Sequence, residues 1–324
     1  MPPKILYHYC SLETLSKIIG DVTSTTGAAK TRSDGTDGAE KPSMISRIQM
    51  TSYHHLNDPG ESLTIASLYG EKLHEAYFRK ILDKSKTFVF CFSEEKDNLT
   101  MWRSYAHDGC GICIGFNTSK LDKIIQRIKD EKRIKQDFLK VDLVSIKYVN
   151  KGDSPDTLKK GVGKRVFSDL QSYSRGEDIN NLLDKALECW SIKSSDYGVE
   201  KEWRLIVTFE DKYFQNEFMD YILNGKLAGA KFNNFDLQHR FHGDRMVEQL
   251  FLRLDSGCIS ELILGPKCSA LEKEIKRYLK LHFNEDVKVS KSKKKLSINK
   301  LEGGRLMYPP LFLNSLRLLI QTEN

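Results

Sequence analysis

The chain has 324 residues, 40% of them hydrophobic, enough to bury a full core as one large domain or two small ones. Lys and Arg outnumber Asp and Glu by 51 to 44, and the net charge of +7 asks for an acidic partner. No apolar stretch approaches the roughly 18 residues that cross a bilayer, Met1–Lys4 opens onto no secretory segment, and a cytoplasmic protein with no membrane anchor is expected.

Ile5–Cys10 is a short apolar and aromatic run that reads as a strand. It passes into a helix with Leu12, Leu15, Ile18 and Ile19 on one face, Ser11 as N-cap and Gly20 as stop. His8 therefore sits near a strand end, where an imidazole can hold a sugar hydroxyl or satisfy a backbone carbonyl. From Asp21 to Pro42 the chain is rich in Gly, Ser, Thr and charge, and a flexible insertion is expected.

His54, His55, Asp58 and Glu61 make no recognised metal spacing, and His107, Cys110 and Cys113 lack a fourth ligand. No metal site is expected. Cys91 and Cys113 lie in apolar, strand-like runs, where a thiol packs as a small hydrophobe. Leu121, Ile124, Ile125, Ile128, Ile134 and Phe138 describe an amphipathic helix whose other face carries Arg127, Lys132 and Arg133. A strand at Leu143–Val149 and a turn at Gly152–Pro155 follow.

Trp190–Val207 places two carboxylates, Glu200 and Glu202, at the mouth of an apolar strand. Residues two apart on a strand share a face, so the pair would point one way and could stabilise a cation, or be solvated surface groups. Arg204 could pair with a carboxylate on that face or hold a pyrophosphate. Ser269 and Glu272 suggest a capping box for a helix reaching about Phe283. Lys288–Lys300 holds six lysines and no acid. Strands and helices alternate irregularly, which argues for α+β.

The order YHYCS, HLNDPGE, VFCFSE, MWRSYA, GICIGF, EKEWRLI and ISELILG, over most of residues 4 to 285, resembles a bacterial family catalogued as domain of unknown function 2971. The opening strand and helix and the Glu202–Val207 strand are also similar to ADP-ribosyltransferases. That resemblance implies a split mixed β-sheet core flanked by helices. It implies one domain over 1–285, carrying the insertion at 21–42, and a basic C-terminal extension over 286–324.

By the same likeness NAD is the substrate, His8 with its neighbour Tyr9 binds the nicotinamide ribose, Tyr105 stacks on nicotinamide, and Glu202 or Glu200 is the catalytic carboxylate. Breaking the ribose–nicotinamide bond builds positive charge on the sugar. A fixed carboxylate lowers that barrier, and an aromatic face positions the leaving group. The target would be a macromolecule, RNA or DNA, held through Lys288, Lys291, Lys293, Lys294 and Lys295. A toxin or phage-defence effector with a neutralising partner protein fits this picture. The alternative is a non-enzymatic nucleic-acid-binding or sensor protein of the same fold.

Overall fold

The computed structural model describes residues 2–19, 46–52, 72–130, 138–150, 181–215, 235–242, 245–282 and 287–295. The insertion expected at 21–42 lies outside them, as do Lys132 and Arg133. Met1–Lys294 forms one compact unit and Lys295–Asn324 another.

The first unit is built on a mixed, mostly antiparallel sheet of ten strands flanked by helices. Its strands are β1 (Ile5–Cys10), β2 (Arg47–Ser52), β3 (Ser85–Ser93), β4 (Ile112–Asn117), β5 (Leu139–Ser145), β8 (Glu202–Glu210), β9 (Phe235–His242), β10 (Arg245–Arg253), β11 (Ile259–Leu264) and β12 (Lys288–Lys291). Two short strands, β6 (Lys147–Val149) and β7 (Ile192–Ser194), form a separate parallel pair. The helices are α1 (Leu12–Ile18), α2 (Lys72–Asp83), α3 (Leu99–Tyr105), α4 (Thr118–Lys129), α5 (Leu182–Cys189), the single turn α6 (Asp211–Tyr213) and α7 (Glu272–His282).

Strand β3 organises the sheet. Along one edge it pairs with β8 over its full length, from Ser85↔Glu210 to Ser93↔Glu202, and β5 continues the sheet beyond β8. Its other edge is shared end to end by two strands, β1 at Tyr7↔Ser93 and β2 at Thr51↔Val89 and Ser52↔Phe88. The sheet parts between them.

Alternation assigns the two faces. Leu6, Phe88, Phe90, Phe92, Phe116, Leu205 and Val207 form the main core under Leu15, Ile18, Leu121, Ile124, Ile125, Ile128, Ile275 and Leu279 of the helices. On the opposite face Tyr7, Tyr9, Cys113 and Ile263 pack under Met101 and Trp102 of α3.

Several elements depart from the sequence expectation. The strand expected at Leu143–Val149 is two, broken at Ile146, whose N–H donates to the Glu202 carbonyl at 2.9 Å. The helix expected to reach Phe138 ends at Lys129, and Phe138 packs into the core ahead of β5. Ser269 is not the cap of α7: the helix begins at Glu272, and the Glu274 carboxylate accepts from the Leu271 N–H at 2.9 Å. Lys288–Lys291, expected in a C-terminal extension, is the edge strand β12, parallel to β11, because Val287 and Val289 are apolar enough to join the core.

Candidate functional site

One row across the sheet carries the polar chemistry. Glu261, Gly115, Tyr7, Ser93 and Glu202 lie opposite one another on β11, β4, β1, β3 and β8, so their side chains share a face. At one end Tyr7 donates to Glu261 at 2.9 Å and Lys96 reaches both its oxygens at 2.8 and 2.7 Å. Both side chains cross over Gly115, where a Cβ would lie 2.7 Å from the Glu261 Cγ.

At the other end is a buried ionic network. Glu202 opens β8, whereas Glu200 ends a 3-10 turn, Ser195–Glu200. The shared strand face expected for these two carboxylates is therefore replaced by another device. Lys201 between them adopts a left-handed conformation (φ 42°, ψ 55°), a strain of about 1 kcal/mol for a residue with a Cβ. Both carboxylates then converge on Lys193, which bonds Glu200 at 2.7 Å and Glu202 at 3.1 Å and lies 4.4 Å from the Tyr197 ring centre.

Arg204 completes the network. It grips Glu202 with Nε at 2.7 Å and Nη2 at 3.0 Å, and its Nη1 donates to the Trp190 carbonyl at 3.1 Å. At 1% exposure it is an ion-pair partner, and the pyrophosphate alternative does not fit so enclosed a guanidinium. Burial is the largest single influence on Glu202 and raises its pKa, but Arg204 and Lys193 together outweigh it and hold the carboxyl at about 2. The Glu202 N–H donates to the Tyr148 hydroxyl at 2.8 Å, and Ser93 donates to the Glu200 carbonyl at 2.6 Å.

Tyr105, at the end of α3, donates its hydroxyl to Glu200 and keeps 36% of its surface exposed. It is the member of the network that most clearly meets solvent. Burial, then the Glu200 charge, raises its pKa, so it stays a donor.

Two expected residues lie elsewhere. His8 sits on the opposite face, stacked on Phe90 at 4.2 Å, with Nδ1 2.8 Å from the Cys91 carbonyl. Burial lowers its pKa to about 4 against that backbone contact, which leaves the ring neutral with its proton on Nδ1. Strand alternation separates it from Glu202. Tyr9 shares the network's face but donates to the Glu95 carbonyl at 2.7 Å and accepts from the Asn98 N–H at 2.9 Å. Its ring stands edge-on to Trp102 at 4.9 Å, so it anchors the loop before α3.

Lys193 and Tyr148 escaped sequence reasoning. A lysine in an I-K-S run has no signature, and its role depends on a chain reversal that no local spacing encodes. Among the described residues no group of three or more His, Cys, Asp or Glu side chains could hold a metal ion, and no helix is long and apolar enough to cross a membrane.

No curated protein and no solved structure matches the chain. Residues 101–205, which hold Tyr105, Tyr148, Lys193, Glu200, Glu202 and Arg204, match the model of the family described as protein of unknown function (DUF2971).

Proposed function

We propose that the Glu200–Lys193–Glu202 network is the reaction centre of an NAD-dependent ADP-ribosyltransferase acting on a macromolecule. The observation that carries this reading is the convergence of two buried carboxylates on one lysine, with Glu200 tied to the half-exposed ring of Tyr105. The division of β3's edge between β1 and β2 is compatible with the split sheet of that superfamily.

In this reading Tyr105 offers its ring to the nicotinamide, and Glu200 faces the ribose carbon. The bond from that carbon to the nicotinamide nitrogen breaks, and nicotinamide leaves with the electron pair. The target's nucleophile then bonds to the carbon and loses its proton. A carboxylate fixed before reaction stabilises the cationic sugar without reorganising. Glu202 is the anchor, locked by Arg204, and Lys193 holds the two carboxylates together. His8 takes no part.

Nicotinamide release from NAD by the purified chain tests this. Glu200→Gln should lose ~10²-fold or more of the release in protein that a thermal melt shows to be folded at the assay temperature. The complete pairing of Glu202 favours a second reading, a binding or sensor protein that keeps the fold without the chemistry. Absence of release, together with no thermal shift on adding NAD, would select it.

A further inference from the structure

The outer face of α7 carries Lys273, Lys276, Arg277 and Lys280, all exposed. Their i, i+3, i+4, i+7 spacing sets them in one stripe. The opposite face is already used, because Ile275 and Leu279 are buried in the main core and Tyr278 packs against it. Of the two acids in the first turn, Glu274 caps the helix and Glu272 lies 4.0 Å from Lys276. Beside α7 runs β12, where exposed Lys291 shares the face of Val289 and donates to the Cys268 carbonyl at 3.2 Å, while Lys288, level with Glu261, points to the opposite face. Residues 272–294 hold eight Lys and Arg against four Asp and Glu.

The other basic helix offers a contrast. On α4, Arg127 is held by both oxygens of Asp255 at 3.0 Å, and Lys129 reaches Asp142 at 3.3 Å. Those charges are answered from within the fold.

We propose that the α7 stripe, with Lys291 at the end of β12, is a nucleic-acid surface that tracks the phosphate backbone. Lys273 to Lys280 spans ~10 Å of helix, about three phosphate steps of a strand at ~3.4 Å each. A membrane fits less well, since the apolar face an interfacial helix would insert is buried in the sheet core. A protein partner fits less well too, since interface centres are depleted in Lys and need an apolar or aromatic anchor. The stripe lies on the main-core face of the sheet, away from the Glu200 network, so its role stands whether or not that network turns over NAD.

The full chain is titrated against a labelled oligonucleotide of about 24 residues, single-stranded and duplex, over a salt series read by fluorescence anisotropy. Affinity should fall linearly with salt on logarithmic axes, by ~0.7 to 0.9 per phosphate contacted. Replacing Lys276, Arg277 and Lys280 together with Ala should raise Kd by ~10-fold or more and shrink the slope by about 2, while Arg127→Ala with Lys129→Ala changes neither. Ala suits an exposed helix face, and a thermal melt confirms folding. Should the triple variant melt early, Lys276→Gln with Arg277→Gln replaces it and should lose at least a few-fold in affinity. An unchanged Kd and slope in the folded variant would overturn the proposal. So would a wild-type chain that ignores the oligonucleotide at low salt, or one that binds phosphatidylserine vesicles in a way no oligonucleotide displaces.

Discussion

At the scale of single residues, the network around Glu202 is a balanced set of buried charges, two carboxylates against Lys193 and Arg204. Such a set adds little net stability when whole but is costly to break, because the remaining charge keeps its desolvation penalty. Lys193→Met should therefore lower unfolding free energy by about 3 to 5 kcal/mol in urea denaturation, and adding Glu200→Gln should recover part of that loss. Titration gives a second expectation. The Glu202 pKa is lowered from 4.5 to about 2 and that of His8 from 6.5 to about 4, so in both cases the unfolded chain binds the proton more readily. Stability contributed by His8 is thus present above pH 6.5 and lost toward pH 4, and that of Glu202 is lost between pH 4.5 and 2. Melts recorded from pH 7 to 4 should show a fall on the order of 2 kcal/mol that is absent in His8→Gln.

At the scale of elements, the polar row works because β4 presents a glycine where two side chains must pass. A Cβ at Gly115 would meet Glu261 at 2.7 Å, Ile5 at 3.1 Å and Tyr7 at 3.3 Å. Gly115→Ala should push the Glu261–Tyr7–Lys96 cluster off its bonds and destabilise by about 1 to 3 kcal/mol, measured as a lowered urea midpoint. The loop from Glu94 to Asn98 joins the two ends of the row. Lys96 at its centre holds Glu261, Asp97 accepts from the Trp102 indole at 2.8 Å, and the helix it starts ends at Tyr105 on Glu200.

For the whole molecule, the compact unit runs through β12 to Lys294. Ser292 also bonds Asp97, which ties the end of this strand to the loop before α3. A chain ending after Lys295 keeps the whole of β12. One ending before Lys288 would bare the edge of β11 and remove Val289 from the core, a loss of about 1.5 to 3 kcal/mol for that side chain alone. Differential scanning calorimetry of the two truncations measures that loss.

Local patterns in the sequence determined the opening strand and the Ser11-capped helix, the amphipathic start of α4, the strand from Glu202, and the suspicion that falls on Glu200 and Glu202. These features depend on periodicity, capping and short spacings, which a chain carries residue by residue. Only the tertiary structure decided that β3 shares one edge between two strands, that His8 faces the core away from Glu202, and that Lys288–Lys291 is sheet. Each depends on which strands pair, and pairing joins residues far apart in the chain. Tyr105 and Glu200 are 95 positions apart, and Lys193 meets both carboxylates only because Lys201 turns the chain between them.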